Sequence, residues 1–144
     1  MSEQEQQSPT TGPVQHLRPA GLYDNSAYTN VVVVTGPAKT IYIGAQGALD
    51  ETGQIVGKGD IAAQTEQAMH NVQVALSAAG ASLEHVIKVN VYIAQGQPIL
   101  PGFAAFQRIW GNRPNPPANT VLFVSEMVPA DFLVMIEAVA VVPI

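Results

Sequence analysis

The end of the chain sets the strongest constraint on its fold. Residues 132–142 are apolar throughout except for one charged side chain, Glu137, near their middle. A run of this kind, rich in valine, predicts a buried strand. Burying a carboxylate is unfavourable unless the group is paired or hydrogen-bonded. The fold must therefore give Glu137 partners in the sheet, or bring its strand to a cleft where a carboxylate has a function.

The rest of the chain carries further strand and helix patterns. In residues 86–93 apolar and polar side chains alternate, which is typical of a strand with one buried face. The predicted strands are residues 30–34, 40–45, 86–93, 119–125 and 132–142, and the predicted helices are residues 61–79 and 101–110. The first two strands lie at hairpin distance. The order ββαβαββ predicts an α+β fold, in which a mixed sheet carries both helices on one face.

Both predicted helices have one apolar side. Asp60 is placed to cap the first helix and Gly80 to end it. Its inward stripe is predicted to comprise Ile61, Thr65, Ala68, Met69, Val72, Leu76 and Ala79, and its outward face Gln64, Gln67, Gln73 and Ser77. In the second helix, Pro101 lies near the start and the inward residues are predicted to be Phe103, Phe106 and either Ile109 or Trp110.

Composition favours a single domain that associates with copies of itself. Of the 144 residues, the polar segment 1–13 predicts a disordered tail, followed by one domain over residues 14–144. The domain is rich in hydrophobic residues, at 47% of the whole chain against 12% charged residues. The face of the sheet away from the helices has no predicted cover, so we expect a homo-oligomer.

Charge and motifs exclude several classes of protein. The net charge is −5 and the six cationic residues are scattered, which argues against nucleic-acid binding. Residues 53–59 fail the spacing of a phosphate-binding loop, and His16, His70 and His85 lack metal-ligand spacing, so these motifs predict neither a P-loop nor a metal site. The chain has no cysteine, which excludes disulfides and thiolate chemistry. It has no apolar run of ~18 residues, which predicts no membrane span, and we expect a cytoplasmic protein.

Seven short stretches match one known family in order and spacing. They are residues 21–23, 41–46, 49–53, 60–65 with Ala68 and Asn71, 78–86, 88–93 and 136–140, and they extend over about residues 18–143. Each stretch alone is weakly specific, but their shared order is informative. The chain resembles the RidA/YjgF family of reactive-intermediate deaminases.

This resemblance implies both a fold and an activity. It implies a chorismate-mutase-like fold and a homotrimer with a central β-barrel and clefts between subunits. There, family members hydrolyse small enamines and imines without metal or cofactor. By position, the resemblance puts Tyr23 at the cleft mouth, backbone of Gly44 and Ala45 at the floor and Phe103 in an apolar wall. Glu137 would position the attacking water.

The chain departs from the family pattern at several cleft positions. After the proline-rich loop, active members carry Pro-x-Arg-Ser, whose arginine binds the substrate carboxylate; here Asn119 replaces that arginine. An amide loses the charge and the paired donors of a guanidinium. Val121 replaces a frequent cysteine, Gly44 a serine, and residues 24–25 a Ser-Gln pair. These differences indicate an altered substrate.

Simpler roles compete with each proposed site residue. Glu137 could instead pair with Lys88, Arg108 or a neighbouring subunit, Tyr23 could be an interface aromatic, and Phe103 could be helix core. The leading hypothesis is a hydrolase acting on a small electrophilic imine or enamine. The alternative is a non-catalytic trimer that binds small molecules or acts like a chaperone. The ribonuclease activity associated with the family name fits poorly with an acidic chain.

Overall fold

A computed structural model describes residues 12–144. The elements are β1 (Val14–Leu17), β2 (Val31–Val34), β3 (Ala38–Gln46), α1 (Ile61–Ala78), a short 3-10 helix (Leu83–His85), β4 (Val86–Ala94), α2 (Ile99–Trp110), β5 (Ala118–Val124) and β6 (Val134–Pro143). The predicted tail at residues 1–13 falls outside the described residues, except for its last two positions.

Strands β3 to β6 form one mixed sheet in the order β3-β6-β4-β5. The last strand, β6, lies between β3 and β4 and is antiparallel to both, while β4 and β5 are parallel. A parallel pair needs a long crossover, and α2 supplies it. The apolar run that ends the chain is therefore an interior strand, and the predicted α+β architecture is confirmed.

The main core lies between the helices and one face of this sheet. Helix α1 contributes its buried stripe, and alternate residues of β3, β4 and β6 meet it. The central members of this cluster are Ile41, Ile43, Met69, Val72, Leu76, Val89, Ile93, Ile136, Ala138 and Ala140. Within residues 12–144, no helix covers the opposite face of the sheet. That face is where the carboxylate of interest lies.

Helix α1 begins and ends close to the predicted positions, but one residue of its predicted outward face, Gln64, is buried. The Asp60 carboxylate accepts hydrogen bonds from the backbone N–H groups of Ala62 and Ala63, at 3.0 and 3.2 Å. Gln64, predicted to face outward, has no exposed surface. The Gln64 side-chain amide donates to the Asp131 carbonyl and accepts from the Leu133 N–H, just before β6. This buried polar side chain therefore acts as a clamp that holds the start of β6 to α1.

Helix α2 starts two residues earlier than predicted, at Ile99, and its predicted inward face is confirmed for Phe106 and Trp110 but not for Phe103. Gly102, Ala105 and Trp110 are buried, whereas Phe103 is 46% exposed. The prediction of Phe103 as an inward residue is wrong. The reason is the close approach of the two helices at Gly102, where an added Cβ would lie 3.2 Å from the Thr65 hydroxyl.

Two strand predictions also need correction. Strand β2 does not form a hairpin with β3; it pairs with β1, a strand the sequence patterns did not reveal, in a separate two-stranded sheet. In β4 the register shifts between Val86 and Lys88. Val86 is therefore buried, and Ile87 does not continue the inward row of Val89 and Ile93.

Candidate functional site

Glu137 lies in the middle of β6 on the face of the sheet away from the helices. Its neighbours Ile136 and Ala138 point into the core and are 1% and 4% exposed. Successive side chains of a strand point to opposite faces, so the Glu137 side chain emerges on the open face, where it is half-buried. An interior strand accommodates this carboxylate because the carboxylate itself is not in the core.

Two side chains of β4 bind the same oxygen of Glu137. The Asn90 amide and the Tyr92 hydroxyl donate to Oε1 at 2.9 and 2.6 Å. The Tyr92 bond first, and the Asn90 bond second, hold the pKa of Glu137 below its usual value, against a smaller opposing effect of burial. The same bond raises the pKa of Tyr92. Glu137 is therefore an ionised carboxylate at neutral pH, with one oxygen committed to the protein.

The alternative of an ion pair within the chain is not what the structure shows. Among residues 12–144, Glu137 has no cationic group within 4.0 Å. Arg108 instead lies 3.9 Å from Glu66 on the helix side. Lys88 donates to the Thr120 hydroxyl at 2.7 Å.

A depression of about 320 Å³ opens beside Glu137 on the same face. Val139 lies between Tyr42 of β3 and Lys88 of β4, being the register partner of both. The depression is lined by Tyr42, Ile43, Gly44, Lys88, Asn90, Glu137, Ala138 and Val139. Tyr42 is 80% exposed and forms an aromatic wall. The depression thus combines a carboxylate, an amide, an ammonium group and an aromatic ring.

Gly44 and Ala45 lie next to Glu137 because β3 is irregular there. Ile43 is paired with Ala138 and Gln46 with Ile136, so the two residues between them face the single position 137. An extra residue in one strand leaves backbone groups out of the ladder. The Gly44 carbonyl accepts a bond from the Gln46 amide at 3.2 Å. The predicted floor residues are thus adjacent to the predicted catalytic residue, while their role stays a prediction.

Asn119 and Val121 lie elsewhere, on the edge strand β5. Asn119 is the register partner of the buried Val89, and it shares a cavity of about 50 Å³ with Val89, Val91 and Phe103. Val121 and Phe103 line a neighbouring cavity of about 70 Å³. Both β5 side chains therefore point to the helix-covered face, opposite to Glu137.

Tyr23 lies in the irregular segment between β1 and β2. Its side chain is 75% exposed. The segment is tied internally by an ion pair between Arg18 and Asp24 at 2.8 Å, and to the start of β5 by a bond from the Thr29 N–H to the Pro117 carbonyl. Ala27 of this segment lines the cavity that contains Asn119. The segment between β1 and β2 therefore lies beside Asn119 and Phe103.

The predicted site residues therefore form two groups on opposite faces of one sheet. The first group is Glu137 with Gly44 and Ala45; the second is Asn119, Val121 and Phe103, with the segment of Tyr23 beside it. Sequence reasoning missed Tyr42, Lys88, Asn90 and Tyr92 as site residues. The signal was present, because the alternation in β4 put Lys88, Asn90 and Tyr92 on one polar face.

Neither a metal cluster nor a membrane helix is found in the part of the chain that the structure describes. Within residues 12–144 no three His, Asp or Glu side chains are grouped so as to hold a metal ion. No helix in this range combines the length and the apolar character needed to cross a bilayer.

The fold and the carboxylate on its open face define a class of small α+β proteins, and comparison with known proteins identifies the family. Residues 20–142 match the family described as Endoribonuclease L-PSP. A RutC family protein of Pyrococcus abyssi is 38% identical over 103 residues, which are 69% of this chain and 76% of that protein. One of Synechocystis is 31% identical over 129 residues, or 87% and 89% of the two chains.

Solved structures agree with this assignment. The conserved Rid family protein YyfB of Yersinia pestis superposes with a TM-score of 0.81 at 25% identity, over 91% of this chain and all of that one. The YjgF protein of E. coli gives a TM-score of 0.64 at 26% identity, over 71% and 80% of the two chains. The chain belongs to the RidA/YjgF family, which is also named after endoribonuclease L-PSP.

Proposed function

We propose that this protein hydrolyses small imines or enamines, with Glu137 holding the attacking water. One observation carries the proposal: Oε1 of Glu137 is fixed by Asn90 and Tyr92, while within the described residues Oε2 has no hydrogen-bond partner and lies at an open depression. A carboxylate held in one orientation with one free oxygen is suited to accept a bond from a water molecule.

The proposed chemistry needs only water and a proton carrier. Water adds to the carbon of a protonated C=N group and gives up a proton, which the carboxylate of Glu137 accepts. The proton then passes from Glu137 to the nitrogen of the carbinolamine and the C–N bond breaks. The hydroxyl group gives up its proton to Glu137 as the C=O group forms, and the departing ammonia takes that proton and leaves as ammonium. The lowered pKa keeps Glu137 ionised and ready for the first step at neutral pH. An enamine enters the same path after protonation at carbon.

A homotrimer with clefts between its subunits is part of this proposal. The two groups of site residues lie on opposite faces of the sheet, so they can share a cleft only when a second copy brings its β5 to the first copy's Glu137. Strand β5 is an edge strand with Val121, Leu122 and Phe123 about half exposed, which favours burial against another subunit. Light scattering at micromolar concentration tests this: a trimer is expected, and a stable monomer would overturn it.

Glu137→Gln tests the catalytic role directly. The amide keeps the volume and the bond from Tyr92 but removes the basic charge. We expect turnover of an imine generated by an amino-acid oxidase to fall about a hundredfold or more, which is the usual contribution of a general base. Loss of a semicarbazide-trappable intermediate is the readout.

A matched control separates this effect from loss of one negative charge. Glu126 lies in the loop after β5 and is exposed, so Glu126→Gln should hydrolyse like the unaltered protein. Light scattering must show the same oligomer for both variants. Equal activity of Glu137→Gln and Glu126→Gln would make Glu137 a structural residue.

The departure at Asn119 favours a second candidate, a non-catalytic trimer that binds small molecules. A guanidinium fork is worth roughly 2 to 3 kcal/mol more than an amide towards a carboxylate, so the family's usual anchor is missing. Ligand binding without turnover by the unaltered protein would select this candidate. An endoribonuclease activity is tested by RNA binding, which we expect to be weak and without a steep salt dependence.

The cytoplasmic location predicted from the sequence also stays part of the proposal. Fractionation of cells that produce the protein tests it, with recovery in the membrane or extracellular fraction as the contrary result.

A further inference from the structure

We propose that Lys88 of β4 is the residue that binds the substrate carboxylate in the depression beside Glu137. The inference rests on the proposed function for the location of the site. It goes beyond that function in moving anion recognition from strand β5, where Asn119 stands, to strand β4.

Lys88 is the one cationic side chain among the residues that line the depression. It lies on the same face as Glu137, because Lys88 and Asn90 are two residues apart on β4 and Asn90 is the register partner of Glu137. Val139 of β6 separates Lys88 from the exposed ring of Tyr42. Lys88 and Glu137 therefore line the same depression.

The present partner of Lys88 leaves it able to bind an anion. Its Nζ donates to the hydroxyl of Thr120 at 2.7 Å, and within the described residues no carboxylate lies within 4.0 Å. An ammonium group has three donors, so two remain for a ligand. A hydroxyl orients the amine without neutralising it.

Lys88 and Glu137 are diagonal neighbours on adjacent strands, because Lys88 lies two residues from Asn90, the register partner of Glu137. Diagonal neighbours lie about 7 to 8 Å apart, a distance that one small ligand can span. Lys88 would bind the carboxylate of the ligand, with the imine carbon beside the water that the free oxygen of Glu137 holds. Asn119 cannot take this role within the same chain, because it is neutral and lies on the other side of the sheet.

The test compares two small ligands that differ only in charge. Pyruvate and pyruvamide are titrated into the unaltered protein and followed by calorimetry, which needs no turnover. We expect pyruvate to bind about tenfold or more tightly, as a charge-assisted hydrogen bond allows. Lys88→Gln should bind the two ligands equally, and Lys88→Arg should keep the preference.

The controls address loss of a positive charge and loss of structure. Lys58→Gln removes the same charge from an exposed lysine near Asp131, so it should keep the full preference for pyruvate. Light scattering and circular dichroism must match across the variants, and Lys88→Arg supports the proposal even where Lys88→Gln is less stable. A preference for pyruvate that survives in Lys88→Gln, or no preference in the unaltered protein, would overturn the anchor.

A kinetic measurement separates this proposal from the hydrolase itself. Imines of pyruvate and of pyruvamide are made in situ and their hydrolysis is followed. Equal KM values for both imines in the unaltered protein reject Lys88 as anchor and leave the hydrolase standing. A preference for pyruvate in binding that depends on Lys88, without hydrolysis of either imine, supports the anchor and rejects the hydrolase.

Discussion

Replacement of Gln64 by leucine should weaken the fold where it supports strand β6. The buried amide accepts a bond from the Leu133 N–H at 2.8 Å and donates to the carbonyls of Asp131 and Gly57 at 3.1 and 3.3 Å. Leucine has a similar volume, so it removes these bonds with little change in packing. Two good bonds at about 1 kcal/mol each, with a weak third, predict a loss of about 2 kcal/mol in the free energy of unfolding.

Urea denaturation at one fixed protomer concentration measures this loss, since association also contributes to stability. The matched control is Gln73→Leu, because Gln73 lies on the same helix but is exposed. It should change the free energy of unfolding by less than about 0.5 kcal/mol. For a chain of this size the Gln64 variant should also melt roughly 6 °C lower. Equal stability of the two variants would refute the description of Gln64 as a clamp on β6.

Two further predictions concern the open face and the contact between helices. Tyr92→Phe should raise the pKa of Glu137, because the Tyr92 hydrogen bond is the main cause of its lowering. A lowered carboxylate pKa stabilises the fold at pH values above the ordinary pKa of 4.5, and this contribution is lost as the pH falls. Urea denaturation should therefore show a lower free energy of unfolding for the variant at pH 7 and a smaller difference at pH 3. Gly102→Val should lower the free energy of unfolding by about 1 to 3 kcal/mol, because the added side chain would press against Thr65. The control Ala104→Val, on the exposed side of α2, should leave thermal melts nearly unchanged. Similar losses at both positions would contradict the close packing at Gly102.

The parts of the fold that follow from local patterns were predictable. Helix α1 and strands β3 to β6 were located to within a few residues, because periodicity, an N-cap at Asp60 and proline-rich breaks are all local signals. Gln64 was misplaced because a glutamine on a predicted outward face gives no sign that backbone groups near Asp131, distant in sequence, need its amide. A polar residue is buried wherever such partners exist.

Pairing between strands was predicted less well. Strand β2 lies four residues before β3 in the chain, and closeness in sequence suggested a hairpin. The strand pairs instead with β1, whose four residues include His16 and carry little apolar pattern. Short strands of this kind are set by the partner available in space, which periodicity does not encode.

The candidate site was predictable for Glu137 and much less so for its surroundings. A lone carboxylate in an apolar strand is conspicuous in any sequence. Its partners Asn90 and Tyr92 had been placed on one face of β4, but only the register of β4 against β6 shows that position 90 meets position 137. Lys88 entered the sequence analysis only as a possible ion-pair partner, yet the structure has it bound to Thr120 and lining the same depression.

Asn119 lies on the face of the sheet opposite to Glu137. Where two groups of site residues lie on opposite faces of a sheet, no rearrangement of side chains joins them within one molecule. The identity of residue 119 then affects the depression only through a second copy, whereas Lys88 and Glu137 line it within one copy. The proposed anchor on β4 would therefore make carboxylate binding less dependent on contact with a second copy. This relation gives a physical reason why the change at Asn119 is compatible with an intact depression beside Glu137.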